Sequence, residues 1–119
     1  MNISIKLCEH IRERIIPQYV NFDKAHRIDH VEKVIEESMK LALHYEVNSA
    51  MVYTIAAYHD LGLCEGREFH HIVSGKILFA DETLWQWFTD DQMLQMKEAI
   101  EDHRASNNQA PRSIYGKIV

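Results

Sequence analysis

The chain has 119 residues, of which 46% are hydrophobic, and a formal net charge of -5. The hydrophobic content excludes an intrinsically disordered chain, and the length predicts one domain, residues 1–119, around a single core. The negative charge, without any block of Lys or Arg, argues against nonspecific nucleic-acid binding. No apolar run is long enough to span a membrane, which argues against a membrane partner. Cys8 and Cys64 are too few and too isolated for a disulfide framework, so we expect a reduced, cytoplasmic protein.

Helical periodicity predicts the first two elements. Apolar residues interleaved with charged ones indicate a helix from Ile3 to about Tyr19, stopped or kinked near Pro17, because proline cannot donate to the helical ladder. A second amphipathic helix is predicted over roughly residues 27 to 45. Three of its side chains share one helical stripe: His30, Val34 and Leu41.

The third predicted helix is almost wholly apolar and ends in the dipeptide His59-Asp60. Asn48 or Ser49 suits its N-cap position. Asp60 falls in the last turn, where a carboxylate opposes the negative end of the helix dipole and a bound cation would compensate. Taken alone, the pair is better explained by a helix-capping histidine and a solvated aspartate ahead of Gly62. The apolar stripe runs onto the histidine through Val52, Ile55, Ala56 and His59.

Two more helices carry histidines near their ends. The fourth covers about residues 70 to 80, and His71 shares a face with Gly75 and Leu78, where the glycine would permit close helix approach. His70 is expected to point elsewhere, because adjacent helical residues lie about 100° apart. Thr89 to Gln92 has capping-box spacing and starts the fifth helix. The apolar face of that helix ends on a histidine: Met93, Met96, Ile100 and His103.

The sequence therefore predicts an all-α fold, a compact bundle of about five to six helices whose last helix, begun near Ser113, is truncated. Any one histidine on an apolar face is more often a hydrogen-bonded core residue than a metal ligand. Four such histidines would converge in a bundle, and inward-facing side chains of bundles build metal sites. The joint pattern favours a metal centre formed by His30, His59, His71 and His103.

These motifs resemble those of the HD superfamily of metal-dependent phosphohydrolases. The matching stretches are residues 26–34 (HRIDHVEKV), 56–62 (AAYHDLG), 71–75 (HIVSG) and 99–103 (AIEDH). The resemblance implies an HD-domain-like helical hydrolase with an ion held by His30, His59 and Asp60, the last two also serving as its catalytic pair. It further implies that His71 and His103 match the positions of a second ion in binuclear members.

The chain departs from the family pattern in two places. The family's distal Asp ligand normally follows a stretch resembling residues 113–119, yet no acidic residue follows Asp102. Asp102 does not replace it, because it would point about 100° away from His103. Leu63 stands where some branches have Lys. We therefore expect the chain as written to bind metal weakly and to hydrolyse phosphate esters poorly.

Imidazole and carboxylate donors suit one or two divalent ions of Mn, Fe, Co, Ni or Zn better than Mg. Such an ion activates water and offsets phosphoryl charge, which predicts hydrolysis of a phosphomonoester or phosphodiester, in a nucleotide or related small molecule. Arg67 and Arg104 lie nearest in sequence to the proposed ligands and are candidate substrate-binding residues. Two alternatives stay open: a catalytically impaired binding or dimerisation module, and a di-iron HD-type oxygenase. Self-association into a homo-oligomer is compatible with each.

Overall fold

The computed structural model describes residues 3–21, 28–66, 68–102 and 113–119. Within these ranges no residue lies in a strand, which confirms the all-α prediction. None of the helices described is long and apolar enough to cross a membrane. The α-helices are α1 (Ile5–His10), α2 (Ile28–Ala42), α3 (Ser49–Tyr58), α4 (His70–Ala80), α5 (Asp90–Glu101) and α6 (Ile114–Ile118). Shorter turns complete the path: a π-helical turn, Ile11–Ile15, and 3-10 turns at Ile16–Asn21, Leu61–Glu65 and Glu82–Gln86.

The first helical stretch changes its winding ahead of Pro17 and does not stop there. The amide of Ile16 donates to the carbonyl of Ile11, one residue further back than in an α-helix. Pro17 has no amide hydrogen with which to continue the regular ladder, so the stretch goes on as a 3-10 turn. This path carries Tyr19 into the core, where its side chain is fully buried.

Helix α3 forms the centre of the molecule. Every residue from Met51 to Tyr58 is buried, and the helix packs against both α2 and α5. Of the two predicted caps, Asn48 fixes its start, since the Asn48 side chain accepts hydrogen bonds from the amides of Ala50 and Met51 at 2.9 and 3.3 Å. The buried helix therefore delivers whatever follows Tyr58 to the interior.

Helix α2 buries a different stripe from the predicted one. Val31, Ser38 and Ala42 are buried, whereas Leu41 is 45% exposed. The predicted stripe through His30 and Leu41 is therefore wrong by one position. The physical reason is packing: the small side chain of Ala42 lies against α3, where a leucine would hold the two helices apart. His30 borders the buried face, with its side chain 39% exposed.

Helices α4 and α5 pack closely, as the glycine in α4 predicts. A Cβ added at Gly75 would lie 3.3 Å from both the Cγ and the carbonyl oxygen of Lys97. The predicted capping box also forms, because the Thr89 amide donates to Gln92 Oε1 and the Gln92 amide donates to Thr89 Oγ1. Most of the predicted apolar faces that the structure describes are buried, namely Gly75, Leu78, Met93, Met96 and Ile100, whereas His71 is half-buried.

Candidate metal centre

His59 and Asp60 form the turn that leaves α3, and both are buried, with 2% and 4% of their surfaces exposed. His59 Nδ1 lies 2.6 Å from the carbonyl oxygen of Ala56. A carbonyl only accepts, so Nδ1 carries the hydrogen and donates it. The other ring nitrogen, Nε2, is then the acceptor of the neutral ring, which is the form in which histidine binds a metal ion.

The Asp60 carboxylate lies between imidazoles from three helical segments. Its Oδ2 atom is 3.1 Å from His59 Nε2 and 3.7 Å from His30 Nε2. Its Oδ1 atom is 3.3 Å from His70 Nε2. The two oxygens thus face different sets of rings.

The first cluster consists of His30, His59 and Asp60, whose possible ligand atoms all lie within 4.8 Å of one another. Ligand atoms that are each about 2.1 Å from one ion, at angles of 90 to 120°, lie roughly 3.0 to 3.6 Å apart. The carboxylate-to-imidazole distances at this cluster are close to that range. The donor set therefore fits a divalent ion without rearrangement of the buried pair.

The second cluster consists of Asp60, His70 and His71, whose possible ligand atoms also lie within 4.8 Å of one another. The prediction that His70 points elsewhere is wrong. Both rings belong to the first turn of α4, with their centroids 3.8 Å apart, and His70 Nε2 lies 3.3 Å from Asp60 Oδ1. The angle of about 100° separates the Cα–Cβ directions of the two residues, whereas rotation about the side-chain bonds brings their rings together.

Gly62 allows α4 to approach the His-Asp turn. A Cβ on this residue would lie 2.1 Å from the His70 carbonyl oxygen and 2.6 Å from the Ser74 amide nitrogen, which no side chain tolerates. The Gly62 amide also donates to Ser74 Oγ at 2.7 Å. Among the described glycines only Gly66 has a positive φ, so Gly62 serves close packing and is not a left-handed helix cap.

Sequence reasoning missed Tyr19 at this site. Its hydroxyl donates to the carbonyl oxygen of Ala57 at 2.6 Å and accepts from the Asp60 amide at 3.3 Å. Burial, and then the nearby carboxylate of Asp60, raise the pKa of the Tyr19 hydroxyl, so it stays a neutral donor. In the sequence Tyr19 is only one apolar position of an amphipathic stretch, and nothing local connects it with residue 60.

Three predicted site residues, His103, Arg67 and Arg104, lie outside the described residues. The structure does bring together His30, His59, Asp60 and His71, and it adds His70. A family model for the HD domain matches residues 27–119, a range that contains every one of these positions. The chain belongs to the HD domain family.

Family membership agrees with the motifs at residues 30, 59 and 60, and with the arrangement of the helices that bear them. No curated protein and no solved structure matches this HD domain. HD domains as a family bind divalent metals and include hydrolases, so the two clusters are candidate ligand sets.

The electrostatics of the centre demand positive charge. A buried carboxylate is costly unless it is paired, and Asp60 is 4% exposed. Among the described residues, three imidazoles lie within 4 Å of its oxygens, those of His30, His59 and His70. They offer either lone pairs to a shared cation or, when protonated, a charge of their own. The arrangement is thus able to bind one or two cations, or to form a metal-free ion-pair cluster.

Proposed function

We propose that this HD domain is a metal-dependent phosphohydrolase whose first ion is held by His30, His59 and Asp60. The observation that carries the proposal is the position of Asp60 Oδ2, 3.1 and 3.7 Å from two imidazole nitrogens of different helical segments. A second ion would take the other carboxylate oxygen with His70 and His71. Such mixed imidazole and carboxylate sites favour Mn, Fe, Co, Ni or Zn.

The proposed roles of the residues follow from their contacts and from how far each one is buried. When bound, the divalent ions supply an activated water and offset negative charge on a phosphoryl group. Asp60 provides the buried negative charge that attracts the cations, and the Ala56 carbonyl orients the ring of His59. His30, with 39% of its side chain exposed, borders solvent and marks the side from which substrate would approach.

We propose a phosphomonoester or phosphodiester of a nucleotide or related small molecule as the substrate. Arg67 and Arg104 are the proposed phosphate-binding cations, on the basis of their nearness in sequence to the ligands. A cytoplasmic location is proposed from the two cysteines, which are both free thiols.

Metal content and turnover test the proposal. We expect the purified protein to bind Mn²⁺ weakly and to hydrolyse a generic phosphodiester slowly but measurably, and D60N and H59F to lose both properties. His44 is an exposed histidine in the turn that follows α2, so H44F should behave like the wild type. A wild-type protein that binds neither Mn²⁺ nor Zn²⁺, or a D60N variant with full turnover, would refute the proposal.

The metal-free cluster supports a second candidate function, a binding or dimerisation module without catalysis. In that case a protonated imidazole neutralises Asp60, and metal analysis finds no bound ion. A di-iron oxygenase is the third candidate. It is recognised by oxygen consumption after anaerobic loading with Fe²⁺, in protein that shows no phosphatase activity.

A further inference from the structure

Side chains cap the C-terminus of α3 by hydrogen bonding to its last carbonyl oxygens. In a continuing α-helix the Asp60 amide would donate to the carbonyl of Ala56, but that carbonyl already accepts from the ring of His59 at 2.6 Å. The next carbonyl, that of Ala57, accepts from the Tyr19 hydroxyl at 2.6 Å. The helix therefore ends where two side chains occupy its last acceptors.

The same hydroxyl of Tyr19 also accepts a hydrogen bond from the amide of Asp60, at 3.3 Å. The Tyr19 hydroxyl thus donates to the last turn of α3 and accepts from Asp60, which follows that helix. Asp60 has φ -115° and ψ 8°, outside the helical range, so its backbone needs partners other than the helical ladder. Tyr19 itself is fully buried and comes from a distant part of the chain.

We propose that Tyr19 is a positioning residue of the metal centre. Its hydroxyl fixes the backbone of Asp60 relative to the end of α3, and so fixes the direction in which the carboxylate points. The proposal rests on the proposed function, because the geometry that it protects is the geometry of ion binding. Tyr19 does not act as an acid or base in this role.

The substitution Y19F removes one oxygen atom and preserves the packing of the ring. Outer partners of metal ligands change affinity by about 10- to 100-fold, and we expect a loss of that order for Mn²⁺ binding to Y19F. At saturating Mn²⁺ the KM for a phosphodiester should stay unchanged, because Tyr19 does not touch substrate, while kcat falls.

Y58F is the matched control. Tyr58 is also fully buried at the end of α3, but its hydroxyl donates to Asp81 at 2.5 Å and not to the turn that carries Asp60. Y58F should lose folding stability and keep wild-type affinity for Mn²⁺. Equal loss of affinity in Y19F and Y58F, or no loss in Y19F, would overturn the positioning role.

A metal-free measurement separates this proposal from the proposed function. Amide hydrogen exchange at Asp60 should be about three- to tenfold faster in Y19F than in the wild type, as expected for one lost hydrogen bond, and unchanged in Y58F after correction for global stability. In the wild type, NMR should detect a nuclear Overhauser contact between the Tyr19 hydroxyl proton and the Asp60 amide, which needs no variant. Unchanged exchange or a missing contact would overturn the proposal even if the protein binds no metal.

Discussion

Asp60 is the residue at which the two histidine clusters meet. Its Oδ2 faces His30 and His59, and its Oδ1 faces His70 at 3.3 Å. Each oxygen of a carboxylate can bind a separate cation, so one buried side chain is able to serve two ions. The individual histidines therefore differ in which ion they would hold.

Substitution of His70 or His71 should remove only the second ion. Phenylalanine keeps the ring shape and deletes both nitrogen atoms, so we expect H70F and H71F each to bind one Mn²⁺ per chain where the wild type binds two. Isothermal titration and elemental analysis measure this stoichiometry. If H70F still binds two ions, His70 lies near the Asp60 carboxylate without being a metal ligand.

The lowered pKa of Asp81 predicts that the free energy of unfolding decreases in acid. Burial acts to raise the pKa of its carboxyl, but hydrogen bonds from Tyr58 and His10 outweigh burial and hold the pKa below its ordinary value of 3.8. A depressed pKa in the folded state contributes stability above pH 3.8, and this contribution disappears as the pH falls through the folded-state value. Hydrogen bonds to charged groups contribute about 1.5 to 3 kcal/mol each, which sets the scale of the effect.

We expect D81N to unfold about 1 to 3 kcal/mol more easily than the wild type at pH 7. The difference should shrink below about pH 4, where the wild-type carboxyl also becomes neutral. Urea denaturation at pH 7, 5 and 3 measures it. Glu37 is exposed on α2, so E37Q should match the wild type at pH 7. A difference between D81N and wild type that is constant with pH would mean that the charge of Asp81 does not matter.

At the residue scale, the sequence motifs and helical stripes predicted which side chains of α2 and α3 would meet. The motif positions His30, His59 and Asp60 do lie together in the structure, and their role as ligands stays a prediction. Tyr19 and His70 escaped sequence reasoning for different reasons. The contact of Tyr19 with Asp60 depends on tertiary packing across 41 positions, and that of His70 depends on how α4 packs against the His-Asp turn.

At the scale of elements, the approach of α4 to the His-Asp turn depends on Gly62. We expect G62A to destabilise the fold, because its Cβ would overlap with the backbone of α4. Overpacking typically costs about 1 to 3 kcal/mol, and this overlap with backbone should cost no less. Binding of the second ion should weaken as well, since His70 and His71 would shift with the helix.

Gly75 provides the comparison for G62A. A Cβ there meets Lys97 at 3.3 Å, and the nearest atoms include a flexible side chain, so G75A should cost less than G62A. Thermal unfolding monitored by circular dichroism compares the melting temperatures of the two variants. Equal melting temperatures for G62A and the wild type would show that α4 has room to move.

The elements themselves were largely predictable, because caps and periodicity are local signals. The Asn48 cap and the capping box of Thr89 and Gln92 both form, and α4 covers residues 70–80 as predicted. The buried face of α2 was not predictable to the residue. A shift of one position exchanges Leu41 for the smaller Ala42 at the contact with α3, and only the packed helix pair decides between them.

For the whole molecule, ion binding should raise thermal stability. A ligand at 100 times its Kd stabilises the folded state by about 2.7 kcal/mol, which corresponds to roughly 10 °C in a domain of this size. We expect saturating Mn²⁺ to shift the Tm of the wild type by that order and to leave the Tm of D60N unchanged. A shift of equal size in D60N would place the stabilising ion somewhere other than the predicted centre.

The shared carboxylate has a consequence for how the protein would respond to its surroundings. Two ions on one anion cannot bind independently, and the factor by which the first alters the affinity of the second must equal the reverse factor. While most molecules are empty, the doubly loaded fraction grows with the square of the free metal concentration. An activity that needs both ions would therefore rise steeply with the concentration of free metal.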